Sequence, residues 1–319
     1  MHIIRCALNE TLAESIKGGV VALGNFDGVH LGHQALLNQA IDWAKSIEKP
    51  ALALSFDPHP RQFFDKGLHD FCLTPTKLKA QKMQALGLDG LIILPFNQAL
   101  ASLTADEFIQ KILIEQCGIA GLVVGYDFHF GAKRQGTPEK LQAQTAFKTR
   151  IIEPVYGDDH TLYASSTIRN HLQQGHIKAA NQMLGSAYLL EGQVVDGEKI
   201  ARTMGVPTAN LAIRNQFMPA YGIYAAQLFG YTNKQNQKIE CTLPAIVNYG
   251  VRPNQSSQKP AIFEVHIFDF NADLYGCELQ VGLLDYIREE RIFSSSASLQ
   301  AQIIQDCEWV KRRLSSLKA

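Results

Sequence analysis

The 319 residues set 30 Lys+Arg against 30 Asp+Glu, a formal net charge of +0, with 46% hydrophobic and 19% charged residues. This is the composition of a soluble globular chain long enough for two domains. It excludes a general attraction to nucleic acid or anionic lipid, and no apolar run reaches the ~20 residues of a membrane span.

The chain opens Met1-His2-Ile3-Ile4-Arg5, without the basic-then-apolar layout of a signal peptide. Residues 20–23 read as a buried strand that runs through a Gly-rich turn into a helix from about Leu31, where Leu36, Leu37, Ala40, Ile41 and Ala44 recur at helical period. Residues 51–56, 90–94, 122–124 and 151–152 read as further strands, and Thr104-Ala105-Asp106-Glu107 as a capping box opening another helix. Such alternation predicts a Rossmann-like α/β domain with a parallel sheet, which binds ligands beyond the carboxyl ends of its strands.

After about Gly185 short β-rich runs take over, at 188–195, 221–229, 243–248, 262–268 and 278–284. They predict an antiparallel barrel or sandwich closed by one amphipathic helix near 298–314, an α/β plus β organisation. The boundary falls near 184–188, giving domains 1–184 and 185–319. Six scattered cysteines (Cys6, Cys72, Cys117, Cys241, Cys277 and Cys307) contain no CxxC pair and suit a reducing cytoplasm.

The sharpest local signal is Gly24-Asn25-Phe26-Asp27-Gly28-Val29-His30-Leu31-Gly32-His33, at a strand-to-helix junction. Glycines admit a ligand close to the backbone, the helix start offers free N–H groups, and His30 and His33 can donate to one phosphate. A metal pair or a plain helix start are the duller alternatives; neither a GxGxxG nor a P-loop pattern is present.

This segment resembles the HxGH signature of the adenylyltransferase module in bacterial bifunctional riboflavin kinase/FAD synthetases. Ser55-Phe56-Asp57-Pro58-His59-Pro60 resembles that module's FDPHP turn, and Gly125-Tyr126-Asp127-Phe128-His129-Phe130-Gly131 its G-x-D-F-x-F-G loop. The resemblance implies that Gly24, Phe26, Asp27, Gly32, Asp57, Asp127 and Phe128 hold flavin and ATP, with His30 and His33 on the departing pyrophosphate. Ala164-Ser165-Ser166-Thr167-Ile168-Arg169 resembles a Ser-Ser-(Ser/Thr)-x-x-Arg helix start, Ala164 replacing the first serine; it implies ATP contacts from Ser165 and Ser166 and a catalytic Arg169.

In the second half, Gly192-Gln193-Val194-Val195-Asp196-Gly197 and then 201–211, with Arg202 and Pro207-Thr208-Ala209-Asn210, resemble the riboflavin kinase pattern. Ala201 replaces a usual glycine, and Asn254 stands where threonine is common after Asn248-Tyr249-Gly250-Val251-Arg252-Pro253. The resemblance implies that Gly197 and Arg202 bind substrate and that Thr208 and Asn210 are hard oxygen ligands for Mg²⁺ carried with ATP. Taken alone, 207–210 reads as a turn.

Glu264 and His266 share one face of a strand opposite Phe263, Val265 and Ile267, and a carboxylate facing a barrel interior suggests function. The resemblance makes Glu264 the general base for the ribityl hydroxyl and sets Arg288 near the flavin; a solvent-facing strand and a surface ion pair are the alternatives. The expected activity is ATP-dependent phosphorylation of riboflavin to FMN, then adenylylation of FMN to FAD. Riboflavin, FMN, FAD and Mg²⁺ with ATP are the expected small molecules. The partner expectation stops at weak self-association, with no nucleic acid and no membrane. Loss of one activity, prompted by Ala164 or Ala201, and a flavin-binding regulatory protein are the competing readings.

Overall fold

Four consecutive apolar residues, Val20–Leu23, are buried without exception, as a strand covered on both faces requires. In the computed structural model, which describes residues 1–8, 10, 12, 13, 16–197, 206–251 and 261–315, this segment is central in a sheet. The chain divides into two compact units, Met1–Ser165 and Ser166–Ala319. In the first, β1 (His2–Arg5), β2 (Val20–Leu23), β3 (Ala51–Asp57), β4 (Gly90–Pro95), β5 (Gly121–Gly125) and β6 (Lys148–Ile152) form an all-parallel sheet in the order β1-β4-β3-β2-β5-β6. The strand at 2–5 was invisible to periodicity because its four residues stay largely exposed at the sheet edge.

Alternation along the strands separates two cores. Val20, Ala22, Ala51, Ala53 and Val123 face helix α1 (Leu31–Ser46) through Leu37, Ala40 and Ala44. Val21, Leu23, Leu52, Leu54 and Leu122 face the other way, onto Phe108, Ile109, Ile112 and Leu113. Between β3 and β4 come α2 (Pro60–Phe64) and α3 (Thr76–Leu86), and α4 (Gln98–Ala101) follows β4. The capping box at Thr104 forms as expected and opens α5 (Ala105–Glu107), which continues as a π-helix over Phe108–Gln116. α6 (Pro138–Gln142) precedes β6. The β3, β2 and β5 strands are neighbours, so their carboxyl-end loops, carrying the three resembling motifs, emerge side by side where strand order reverses.

α7 (Ser165–Gln173) begins at the division between the units, and α8 (Ile177–Leu184) packs within the second. Asn181 Nδ2 donates to Leu283 O at 2.8 Å, and Lys178 pairs with Asp285 at 2.7 Å. The remaining strands are β7 (Tyr188–Val195), β8 (Ala209–Ile213), β9 (Gly222–Thr232), β10 (Lys238–Ile239), β11 (Leu243–Gly250), β12 (Ile262–Ile267) and β13 (Glu278–Arg288). The order β9-β11-β12-β8-β7-β13 returns to β9, closing a six-stranded antiparallel barrel with β10 appended. Closure removes free sheet edges. The segment around 209–210, a turn by its own chemistry, continues into β8 because it pairs with β7 and β12, both distant in sequence. The last helix, α9 (Ser296–Ser315), lies on the barrel's outer face, its Val310 and Leu314 against Ile223, Ala225 and Ile246.

Candidate functional site

The first site is built on the β2–α1 junction. Phe26 (φ 50) and Val29 (φ 48) take left-handed backbone, and Gly28 (φ 91) lies between them. For a β-branched residue that conformation is costly and persists only where surroundings impose it. His30 caps α1, its Nδ1 accepting from His33 N at 3.3 Å. An accepting Nδ1 leaves the proton on Nε2, which is then a donor for an anion. The two imidazoles stack at 3.6 Å, and a Cβ on Gly32 would fall 3.1 Å from the His30 ring, so only glycine admits this arrangement without displacement. Burial holds His30 down to about 4, and burial, with His30 and Lys79 nearby, holds His33 well below its ordinary value. Both rings are therefore neutral donors near pH 7. His33 Nδ1 and Asn25 Oδ1 are buried without a hydrogen-bond partner.

Around this junction the other predicted residues fall as follows. Gly24 ends β2, its N–H donating to Leu54 O at 3.1 Å. Asp27 is buried and accepts from Thr74 N at 3.1 Å, while its carbonyl accepts from Ser165 Oγ at 2.8 Å. That bond brings the start of α7 onto the HxGH turn; Ser166 beside it is exposed. Asp57, at the end of β3, pairs with Arg5 at 3.0 Å and accepts from Thr76 Oγ1 at 3.4 Å. Beyond β5, Asp127 is exposed and the half-buried Phe128 stacks on Phe130 at 5.8 Å. Arg169 is buried within the second unit, its guanidinium 5.8 Å from the Phe217 ring.

The second site lies on the barrel's outer face, beneath α9. A cavity of about 510 Å³ is lined by Thr208, Asn248, Glu264, Arg288, Phe293 and Asp306, among others. This corrects the expected direction of Glu264. Phe263, Val265 and Ile267 are buried and take the barrel interior, since three apolar side chains fill a core that a carboxylate cannot. Glu264 and His266 are half-buried on the opposite face and line the cavity.

Asn248 Nδ2 donates to Glu264 Oε2 at 3.4 Å. Asn210 stands opposite Glu264 in the β8–β12 register, and its Oδ1 is buried without a hydrogen-bond partner. A Cβ on Gly197 would collide with the Asn210 amide, so that position admits only glycine without rearrangement. His266 Nδ1 lies 2.7 Å from Pro207 O; a carbonyl only accepts, so Nδ1 carries the proton and tethers the residue before Thr208. Thr208 also lines a second cavity, of about 730 Å³, together with Val265, Asn271 and Tyr275.

Arg288 is gripped by the buried Asp306 of α9, through Nε at 3.2 Å to both carboxylate oxygens and Nη2 at 2.6 Å, and Gln302 Nε2 supports the same carboxylate at 2.9 Å. Glu290 accepts from Val251 N at 3.2 Å, and burial followed by the charge of Glu264 raises its pKa. Sequence reasoning missed Asp306, Glu290 and Lys79, and it gave Asn248 no role beyond its place in the 248–253 motif. Two of them left a signal: Asp306 interrupts the stripe Leu299, Ile303, Val310, Leu314, and Lys79 sits beside Leu78 and Ala80 on the packed face of α3. Arg202, with Ala201, Arg252 and Asn254, lies outside the described residues.

A family model described as FAD synthetase matches residues 12–167, and one described as riboflavin kinase matches 184–314. A bifunctional riboflavin kinase/FMN adenylyltransferase of Buchnera aphidicola subsp. Schizaphis graminum is 35% identical over 316 residues, 98% of each chain. Its namesake in Escherichia coli strain K12 is 33% identical over 309 residues, 96% of each chain. A crystal structure described as a macrolide-efflux protein from Streptococcus pneumoniae shares the fold at a TM-score of 0.83 and 30% identity, covering 98% of this chain and 99% of that one. Among the described residues no helix is long and apolar enough to cross a membrane. Two models in succession, matching most of the chain between them, and relatives aligned nearly end to end place the chain in the bifunctional riboflavin kinase/FMN adenylyltransferase family.

Proposed function

We propose that this chain phosphorylates riboflavin to FMN with residues of its second unit and adenylylates FMN to FAD at the β2–α1 junction, with ATP and Mg²⁺ in both steps. The observation that carries the reading is the pairing of two chemically different sites with two family models in the same order. The functional modules are taken as 1–184 and 185–319; α7 and α8 then belong by sequence to the first module, although from Ser166 onward both belong to the second compact unit.

In the kinase site, the apolar wall of Ile223, Ile246 and Phe293 suits the flat flavin ring, and Arg288 sits at its edge. ATP is assigned to the cavity across Thr208, with Gly197 and Arg202 on its phosphates. The buried, unpartnered Oδ1 of Asn210 and the hydroxyl of Thr208 are hard oxygens that fit Mg²⁺. Bound there, Mg²⁺ would supply charge neutralisation for the triphosphate. Glu264 takes the proton from the ribityl 5′-hydroxyl as that oxygen bonds to the γ-phosphorus and the bridge to the β-phosphate breaks. Asn248 holds the carboxylate in place meanwhile.

In the adenylyl-transfer site, a phosphate oxygen of FMN, already ionised near pH 7, attacks the α-phosphorus of ATP and pyrophosphate departs. His30 Nε2–H and His33 stabilise the charge on that group as neutral donors. Gly24, Phe26, Asp27 and Gly32 shape the phosphate loop, and Asp57, Asp127 and Phe128 flank it for flavin and adenosine. The assignment of Ser165, Ser166 and Arg169 to ATP rests on the motif, supported for Ser165 by its bond to Asp27 O. Six cysteines, none of them in a disulfide, suit a reducing cytoplasm. Beyond small molecules, the partner expectation stops at weak self-association.

The test is chromatography of products from purified chain with riboflavin, ATP and Mg²⁺. FMN followed by FAD is expected. FMN alone would remove the adenylyl-transfer assignment, and bound riboflavin with no product would favour a regulatory flavin binder.

A further inference from the structure

Lys79 is a buried cation that the proposed mechanism does not use. It lies on the packed face of α3 between the buried Leu78 and Ala80 and is 6% exposed. An ammonium in such a place is costly unless its donors are satisfied. Here Nζ donates to Asn25 O at 2.7 Å and to Ser55 Oγ at 3.3 Å, and Ser55 Oγ itself donates to Asn25 O at 3.0 Å. The β2–α1 loop, the end of β3 and α3 therefore meet at one carbonyl. That carbonyl belongs to the residue just before Phe26, where the run of left-handed backbone at 26, 28 and 29 begins. A strained loop needs such a fixture, because each unfavourable residue relaxes unless its neighbours hold it.

Burial lowers the pKa of Lys79, and Asp27 on the loop, the Cys72 thiol ahead of α3 and Asp57 at the end of β3 oppose that shift. On the α1 side lies His33, whose protonation Lys79 disfavours. Both imidazoles of the loop are neutral near pH 7, so they bring hydrogen-bond donors but no formal charge.

We propose that Lys79 is a positioning residue for adenylyl transfer: its Nζ hydrogen bonds fix the backbone at 25–29 so that the loop N–H groups and His30 meet the departing pyrophosphate. The inference rests on the adenylyl-transfer reading. It assigns to a helix side chain a role that the loop motif by itself does not contain.

The experiment uses the full chain carrying Lys79→Met, which fills the same space without a buried charge. The expected result is at least about a tenfold fall in kcat for FAD from supplied FMN. Inhibition by added pyrophosphate weakens by about the same factor, while KM for FMN stays within about twofold. FMN formation from riboflavin and the thermal midpoint should match wild type. Ser55→Ala, which leaves the ammonium on Asn25 O alone, should shift kcat and pyrophosphate inhibition in the same direction by less. Unchanged kcat and pyrophosphate inhibition in Lys79→Met would overturn the proposal. So would a loss that follows the thermal midpoint, with KM and kcat moving together or Ser55→Ala indistinguishable from wild type. A wild-type chain that makes no FAD overturns the adenylyl-transfer reading instead.

Discussion

His30 shows how one side chain can be a cap, a donor and a pH liability together. Its folded pKa, about 4, lies below the ordinary 6.5, so as pH falls the unfolded chain takes up this proton first. Stability is therefore complete above pH 6.5 and drains away between 6.5 and about 4, by about 3 kcal/mol in all. Denaturant unfolding at pH 7 and pH 4.5 should show that loss in wild type and a smaller one in His30→Asn, which keeps a capping side chain; identical losses would mean that His30 is not held neutral. The same variant should lower FAD formation by about 100-fold and spare FMN formation. Glu264→Gln tests the other site with almost no change of shape. Riboflavin binding should persist while phosphorylation falls by about 100-fold or more, and an unchanged rate would remove Glu264 as the base. The residue types at both sites were legible as motifs. What they lacked was direction: alternation put Glu264 opposite Phe263 and Val265, but which of those faces was the barrel interior depended on the packing of Val310 and Leu314.

At the scale of elements, two helices illustrate what local sequence can and cannot specify. The Thr104–Glu107 capping box is local chemistry, and it forms with both reciprocal bonds. Thr104→Ala should cost about 1 kcal/mol in denaturant unfolding of the first unit; no loss would mean that tertiary contacts alone hold the helix start. The π-turns that follow were not legible, because Phe108, Ile109, Ile112 and Leu113 satisfy a helical apolar pattern whichever hydrogen-bond step the backbone adopts. The last helix carries the converse lesson. Its amphipathic character was legible as a closing helix near 298–314, whereas its grip on Arg288 through Asp306 was not. Asp306→Ala leaves a largely buried guanidinium without that partner and should destabilise the second unit by about 3 kcal/mol. If the helix merely sat on the surface, calorimetry of that variant would give an unshifted transition.

For the whole molecule, the consequence is that one reaction should survive without the other. Glu264→Gln supplied with FMN should still form FAD, and His30→Asn supplied with riboflavin should stop at FMN; loss of both products in either variant would contradict separate sites. The sequence by itself determined the two-part organisation, the parallel sheet, the antiparallel strands and the chemical inventory of each site, because periodicity, turns and contiguous motifs are written within a few residues of one another. Tertiary structure alone decided four things. It closed the barrel by bringing β9 against β13, turned 209–213 into a strand, carried Lys79 beneath the phosphate loop and clasped Arg288 to Asp306. Each joins residues far apart along the chain, and the energy that selects them comes from burying and pairing groups that have no local reason to meet.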